Sequence, residues 1–506
     1  MHGGVGHPVH SPRWKNRGMT SEHSPELAAR AAQQHVVVVG GGIGGLVAAR
    51  ECAKVGMRVT LLEAADALGG SIRTADLDGI LVDAGAESFA TRGGHVKALV
   101  DELGLADQVV PPQGGGAWLS GIPDAPDAPL PKGSLLGIPA NPFQDDVRRI
   151  IGWRGAWRAY VDRLRPPLTI GHERSLGKLV STRMGGRVRD RLVAPVTAGV
   201  YSADPDEVDT DVAAPGLNAA LTRIGSLTGA VGLLAAERKG TAPGSAVLGL
   251  VGGMGRLVEA LRADLVAYGA DIRTGTSVIR LERDGADWTV EIESAQGEHP
   301  DAEGEASLRA TGVIVATAEP SARELVDTHV AGLGDAGDAP EIEIVTLLLD
   351  APELDSAPRG SGVLTVPGSH TAKALTHSTA KWGWLREAAA GRHLVRVSFG
   401  SQGEPAATAD LDDDAAAALA LSEASALLGV TLHPTQLLAA HRARYVQAQP
   451  TSLIGATERR AAVRQAVTAT RGLGVVGAWV AGTGLAQVVP DAVAEADRLR
   501  ASLLWD

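Results

Sequence analysis

Four valines, Val36 to Val39, run directly into a glycine cluster, Gly40 to Gly45, and this junction constrains the fold more than any other feature. A short β-branched run of this kind predicts a fully buried parallel strand. The glycines fall as G-x-G-x-x-G at Gly40, Gly42 and Gly45. Leu46 to Val55 then predicts a helix that Gly56 ends, and Arg58 to Leu62 a second strand. Each glycine has a physical reason. The first permits a tight turn, the second lets a pyrophosphate approach the backbone, and the third lets helix and strand pack closely. The helix start offers free N–H groups and a positive dipole end to phosphates. Gly40, Gly42, Ile43, Gly44 and Gly45 are thus candidate cofactor-binding residues. Glu63, next to Ala64, closes the second strand, where a carboxylate can accept both ribose hydroxyls. The pattern predicts a doubly wound α/β domain that binds a dinucleotide, and it leaves NAD and FAD both open.

The rest of the chain bounds what surrounds this domain. At 506 residues it is too long for one simple core, and two or three domains are expected. The net charge of -12 argues against a nucleic-acid binder, which needs a basic face. The single cysteine, Cys52, excludes an intrachain disulfide and a zinc cluster and fits a reducing cytoplasm. It lies in the first helix, where a buried apolar role is expected. His172, His377 and His441 are scattered without metal-ligand spacing, and no metal is expected. No apolar run reaches membrane-spanning length; Ala219 to Ala236 comes nearest and is broken by Arg223 and glycines. Residues 1 to 34 show no apolar period and are expected to be a disordered tail, with Met1 or Met19 as the start.

The elements predict an interleaved architecture. The nucleotide-binding domain is expected from residues 35–110, 246–320 and 446–506. A substrate and helical part is expected over 111–245, and a second substrate part over 321–445. Residues 111 to 143, rich in Pro and Gly, are expected to hold little regular structure. Val147 to Val200 is helical and basic in pattern. Residues 341 to 349 and 393 to 399 alternate like strands of a second sheet. Val475 to Ala481 is expected as a last buried strand, Gly482 to Gly484 as a turn, and Asp491 to Leu504 as the closing helix.

A second glycine pair lies just beyond the ribose acid, in Leu68-Gly69-Gly70-Ser71-Ile72-Arg73-Thr74. With the opening motif, it resembles the FAD-binding pattern of the amine oxidase and protoporphyrinogen oxidase superfamily. Further segments narrow the resemblance to the bacterial coproporphyrinogen III and protoporphyrinogen oxidases. They are Asp83 to Phe89 followed by Thr91-Arg92, Leu192 to Tyr201 running into Asp204-Pro205, Gly252 to Leu257, and Gly477 to Gly484 with Val488 to Asp491. The stretch from Leu192 to Asp204 is the most specific of these, because general amine oxidases lack it.

The resemblance implies a discontinuous Rossmann-like FAD-binding domain with an α+β substrate-binding domain and a small helical domain. It implies oxygen-dependent, six-electron oxidation of a porphyrinogen in haem biosynthesis, with peroxide as the second product. Gly40 to Gly45, Glu63 and Ala64 would hold the ADP half. Gly69, Gly70, Ser71, Ile72 and Arg73 would lie along the pyrophosphate and flavin. Val278 would meet adenine through its backbone, and Trp479, Val488, Val489 and Pro490 would lie near the ribityl chain and ring. Arg92 would meet a substrate propionate, and Tyr201 would lie near the substrate. No catalytic side chain is assigned, because the flavin carries the chemistry.

Arg148 to Arg191 holds about a dozen Arg or Lys against three acids. Each of these residues alone is best explained as part of a solvated face. The run as a whole suits contact with substrate, an anionic membrane surface or a partner. This basic segment favours the four-propionate coproporphyrinogen III, as in similar Gram-positive sequences, with protoporphyrinogen IX as the alternative. More distant alternatives are an amine or polyene oxidase, and a non-catalytic dinucleotide-fold binding protein. A monomer or a homodimer, a ferrochelatase as partner, and a cytoplasmic location with or without peripheral contact at the inner face of the membrane are all left open.

Overall fold

The structure, a computed structural model, describes residues 23–165, 173–238, 247–294, 306–334, 336, 341–401, 403–446 and 453–505. Both candidate start methionines and His172 lie outside the described residues.

Five parallel strands form the nucleotide sheet, in the order Asp271–Arg273, Arg58–Leu62, His35–Val39, Gly312–Val315 and Leu473–Val475. Period-two alternation gives each face its own core. Val36 and Val38 pack with the helices Ile43–Ala53, Gly255–Ala267 and Leu485–Trp505. Val37 and Val39 pack on the other side, with Trp288 and the three-stranded antiparallel sheet that carries it. Burial on both faces is why four of the strand's five residues are valine.

The larger sheet has seven strands, in the order Leu437–Val446, Glu341–Leu349, His393–Phe399, Ala374–His377, Gly362–Thr365, Ala117–Ser120 and Ala128–Pro129. All its pairings are antiparallel except that of Gly362–Thr365 with Ala117–Ser120. The helix Asp413–Leu428 covers one face, over Val345, Leu375, Val395 and Val397. A helical part runs from Asp145–Tyr160 through Leu176–Met184 and Ala194–Tyr201 to Leu227–Arg238, around a core of its own.

Several expectations are corrected. The supposed tail forms a helix over His23–Gln33, whose Ala31 is buried against the nucleotide domain. Alanines at spacings of one and three on a short amphipathic turn gave too weak a period to read. Residues 111 to 143 contribute the strand Ala117–Ser120 to the large sheet, because the pairing partner lies some 245 residues away and no local pattern announces it. The last strand is only Leu473–Val475. Trp479 sits in the short helix Ala478–Ala481. The closing helix begins at Leu485 and passes through Pro490, so Val488 to Pro490 are helical and not a loop. The apolar run near Ala219 splits into two helices bent by 120°, with left-handed Gly225 between them. Among the described residues no single helix is long and apolar enough to cross a membrane.

The helical part is tied together by Asp162, fully buried, which binds Arg183 at 2.5 Å and accepts the Leu227 and Thr228 amides at 2.6 and 3.1 Å. Removing one partner of such a pair leaves a buried charge uncompensated. Asp162→Ala is therefore expected to lower unfolding stability by about 3 kcal/mol, read from urea unfolding.

Candidate active site

The nucleotide cradle is built from close approaches that only glycine permits. A Cβ on Gly45 would lie 2.0 Å from the Gly40 carbonyl oxygen, and one on Gly40 would lie 2.9 Å from the Ala316 carbonyl. Gly40 also has φ +106°, in the region that favours glycine. At Gly42, by contrast, a Cβ would meet only the Gly70 Cα, at 4.0 Å. The two glycine loops thus face each other across a narrow gap, joined by the Gly69 N–H donating to the Gly41 carbonyl at 2.9 Å.

The helix Ile43–Ala53 begins at Gly42 with no side-chain cap, so its first N–H groups await an acceptor. Glu63 accepts the Gly41 and Ala65 amides at 2.6 and 2.9 Å, which leaves carboxylate lone pairs free. Ala64, beside it, is exposed. Thr276 donates its N–H to the Glu63 carbonyl at 2.9 Å, which places Val278 two residues further along the same strand. Just after the two neighbouring strands, the buried Thr317 Oγ1 and Trp479 Nε1 have no hydrogen-bond partner among the described residues. The cradle, the uncapped helix, the acid and the unpartnered atoms fit a bound dinucleotide.

The other expected cofactor residues divide by exposure. Gly70, Ser71 and Arg73 are exposed, and Arg73 donates to the Gly70 carbonyl at 3.1 Å and stacks 5.6 Å from the Tyr445 ring. Ile72 and Val489 are buried in the nucleotide core, so only their backbones can face a ligand. Val488 Cγ1 lies against Gly44, while Pro490, two residues on, is partly buried.

A second wall faces the glycine loops. On the side of the large sheet away from the helix Asp413–Leu428, Ile344, Ser398, Ala374 and Leu364 stand in one cross-strand row. All four are only partly buried, whereas their neighbours Val345, Val397, Leu375 and Val363 on the other face are closed off. The helix Ala194–Tyr201 lies along this open face, since a Cβ on Gly199 would strike Leu364 at 2.5 Å. The result is a mostly apolar floor with a few hydroxyls.

Arg396, in the next row, joins this wall to the loop after Asp83. It donates to the Ala84 and Gly85 carbonyls and pairs with Glu87 at 3.1 Å, while Lys381 bonds the same carboxylate. Burial alone would raise Glu87; Lys381 and Arg396 outweigh it and hold the acid at about 2. Burial lifts Asp83 to about 6 against the pull of the Met254 amide, which it accepts at 2.8 Å. Asp83 thereby fixes the turn at Gly253, where a Cβ would press on its carboxylate.

Two cations form no ion pair among the described residues. Lys373 donates to Ser202 Oγ at 2.6 Å, directly after Tyr201, and has no carboxylate partner among the described residues. Burial lowers its amine to about 7. Arg92 is exposed beyond the strand Phe89–Ala90 and forms no ion pair among the described residues. Tyr201 ends its helix, partly buried against the helical core. Sequence reasoning missed both Lys373 and Arg396. Arg396 did carry a signal, a cation inside the apolar alternation of 393–399. Lys373 sits in a polar turn and carried none.

With this geometry in place, comparison with known proteins gives one family. The flavin containing amine oxidoreductase model matches residues 43–499. The coproporphyrinogen III oxidase of Mycobacterium tuberculosis is 31% identical, over 92% of this chain and 96% of that protein. That of Propionibacterium freudenreichii subsp. freudenreichii is 28% identical, over 93% and 91%. In structure, the chain resembles an Exiguobacterium sp. 255-15 protein assigned as a protoporphyrinogen oxidase. The TM-score is 0.78 at 23% identity, covering 92% of this chain and 99% of that one. This last likeness shows the fold.

The lone amine has a consequence for stability. With its folded value near 7, below the ordinary 10.5, Lys373 makes the folded state hold fewer protons than the unfolded state between those values. Its contribution is full above that window and lost as pH falls to about 7. Urea unfolding across the window should show wild-type stability rising relative to Lys373→Met, with the difference levelling off at neutral pH.

Proposed function

We propose, from the premise that this chain belongs to the flavin containing amine oxidoreductase family and groups within it with the coproporphyrinogen III oxidases, that it oxidises coproporphyrinogen III to coproporphyrin III. Its resident cofactor is FAD, held along Gly40 to Gly45, Glu63 and Gly69 to Arg73. When bound, FAD supplies the two-electron oxidation chemistry. Six electrons and six protons leave the macrocycle in all, and with oxygen as acceptor three molecules of hydrogen peroxide form.

The observation that carries this reading is the half-open floor of the large sheet, bordered by an amine with no carboxylate partner among the described residues. A porphyrinogen is a flexible apolar macrocycle edged with carboxylates. Ile344, Ala374 and Leu364 offer it dry surface, and Ser398 a hydroxyl. Lys373 and Arg92 take carboxylates at the rim, and a carboxylate beside Lys373 would restore the charge that burial suppresses. The Glu87–Arg396–Lys381 cluster does not contact substrate. It holds the wall at its distance from the glycine loops. No side chain is needed as a strong base, because the pyrrole nitrogens assist loss of hydride from the bridging carbon.

The test is aerobic turnover of coproporphyrinogen III and protoporphyrinogen IX by the purified yellow protein, followed by porphyrin fluorescence against the unassisted oxidation. Faster turnover of the four-propionate substrate is expected. Bound flavin with no acceleration of either substrate would end the proposal. Lys373→Met and Arg92→Ala should each raise KM about tenfold with kcat little changed, the loss of one charge-assisted contact. Gly42→Val fills the gap facing Gly70, and the protein should purify without its yellow colour.

A further inference from the structure

Lys373 directly precedes the strand Ala374–His377, and its backbone N–H donates to the Ser398 carbonyl at 2.9 Å. Its amine donates to Ser202 Oγ at 2.6 Å. Ser202 follows the helix Ala194–Tyr201, whose Gly199 lies against Leu364 and Ala374 of the floor. The amine is therefore held where the helix end meets the half-open row. Ser202 is buried and takes φ +54°, a left-handed conformation that residues other than glycine seldom adopt. Such a conformation persists only where packing fixes it, so the hydroxyl is a rigid partner for the amine.

Little in this place keeps an amine charged. No carboxylate pairs with Lys373 among the described residues, and a single hydroxyl oxygen is a weak substitute. The charged groups of the elements packed around it are engaged elsewhere. On the helix side, Asp204 pairs with Arg189 at 2.8 Å. On the sheet side, Glu423 accepts the Ala372 amide at 3.0 Å, and His370 meets Ser120 Oγ at 3.0 Å. Burial alone shifts the Lys373 amine, and it brings it down to about 7. Lys381, beyond the same strand, shows the contrast, because it sits on the Glu87 carboxylate. A neutral amine beside apolar surface is a nucleophile, and lysines desolvated in this way form imines with carbonyl compounds. Lys373 is only partly buried, so small solutes can reach it.

We propose that Lys373 is a covalent modification site for aromatic aldehydes. The amine nitrogen attacks the carbonyl carbon, the carbonyl oxygen leaves as water with the two amine hydrogens, and a C=N bond joins ligand to protein. The step consumes no oxidant or reductant. The floor selects the class of aldehyde. Leu364, Ala374 and Ile344 offer an aromatic ring dry contact near the amine, whereas a polar aldehyde gains nothing from them. The imine takes the nitrogen that a substrate carboxylate would otherwise meet, so modification and that contact exclude each other. The inference goes beyond the substrate reading, since it needs the amine and the half-open row but no porphyrinogen.

The test is to incubate the full-length wild-type holoprotein with naphthaldehyde and cyanoborohydride, which fixes an imine as a secondary amine, and to map the adducts by peptide mass spectrometry. The other seven lysines of the chain serve as internal controls. At about pH 7.5 Lys373 should be labelled about tenfold faster than any of them. Most of it is neutral there, against about one in a thousand for an ordinary lysine, and its lower basicity takes back part of that gain. Its labelling should level off above about pH 8, whereas an ordinary lysine keeps gaining to about pH 10. Glyceraldehyde, which is polar, should show a smaller preference for Lys373. Coproporphyrin III should slow the naphthaldehyde labelling of Lys373; labelling that it leaves unchanged supports the modification and counts against the carboxylate contact proposed above. Lys373 labelled no faster than the exposed Lys97, labelling of Lys373 that keeps rising to about pH 10, or equal preference with glyceraldehyde overturns the proposal.

Discussion

The large sheet is held in place against the nucleotide domain by one cluster of charges. Arg396, in the centre of the large sheet, reaches across to the Ala84 and Gly85 carbonyls, while Glu87 returns from that loop to Arg396 and Lys381. The Ala86 amide is in turn bonded to Ser71 of the glycine-pair loop. The glycine loops and the half-open floor are therefore linked through a short, continuous chain of contacts. Removing one member of such a cluster would leave a buried charge unpaired, so the seam is rigid for the same reason that it is costly to break. Several polar atoms around it, including Ser378 Oγ and the Trp382 and Trp384 Nε1, have no hydrogen-bond partner among the described residues.

The division of labour follows from this seam. The nucleotide sheet is closed on both faces and presents only loops and an uncapped helix end to a ligand. The large sheet is closed on one face and half-open on the other, and the open row of Ile344, Ser398, Ala374 and Leu364 lies on the side from which Arg396 departs. Polar groups near the floor are either neutralised in pairs or, like Lys373, left with a lone hydroxyl partner. That contrast marks where an anion is wanted.

Much of the nucleotide half was legible in the residues. Val36 to Val39, the glycines, Glu63 and the strand at Gly312 each carry a local period or spacing, and local signals survive into the fold. What was not legible is long-range. Ala117–Ser120 joins a strand hundreds of residues away, and its Pro- and Gly-rich flanks read as loop. The closing helix was expected from Asp491 but begins at Leu485, and Val475 to Ala481 read as one strand although Ala478–Ala481 is helical. Lys373 had no signature at all, since its meaning arises only when Ser202, from another part of the chain, is brought beside it.

The central claim is that one cavity, between the glycine loops and the floor of the large sheet, brings flavin and macrocycle together. Titrating the anaerobic holoprotein with coproporphyrin III while following the flavin absorption bands tests it directly. The account predicts that those bands shift and saturate at one porphyrin per flavin. Porphyrin binding that leaves the flavin spectrum untouched, or no binding at all by a fully flavinated protein, would contradict it.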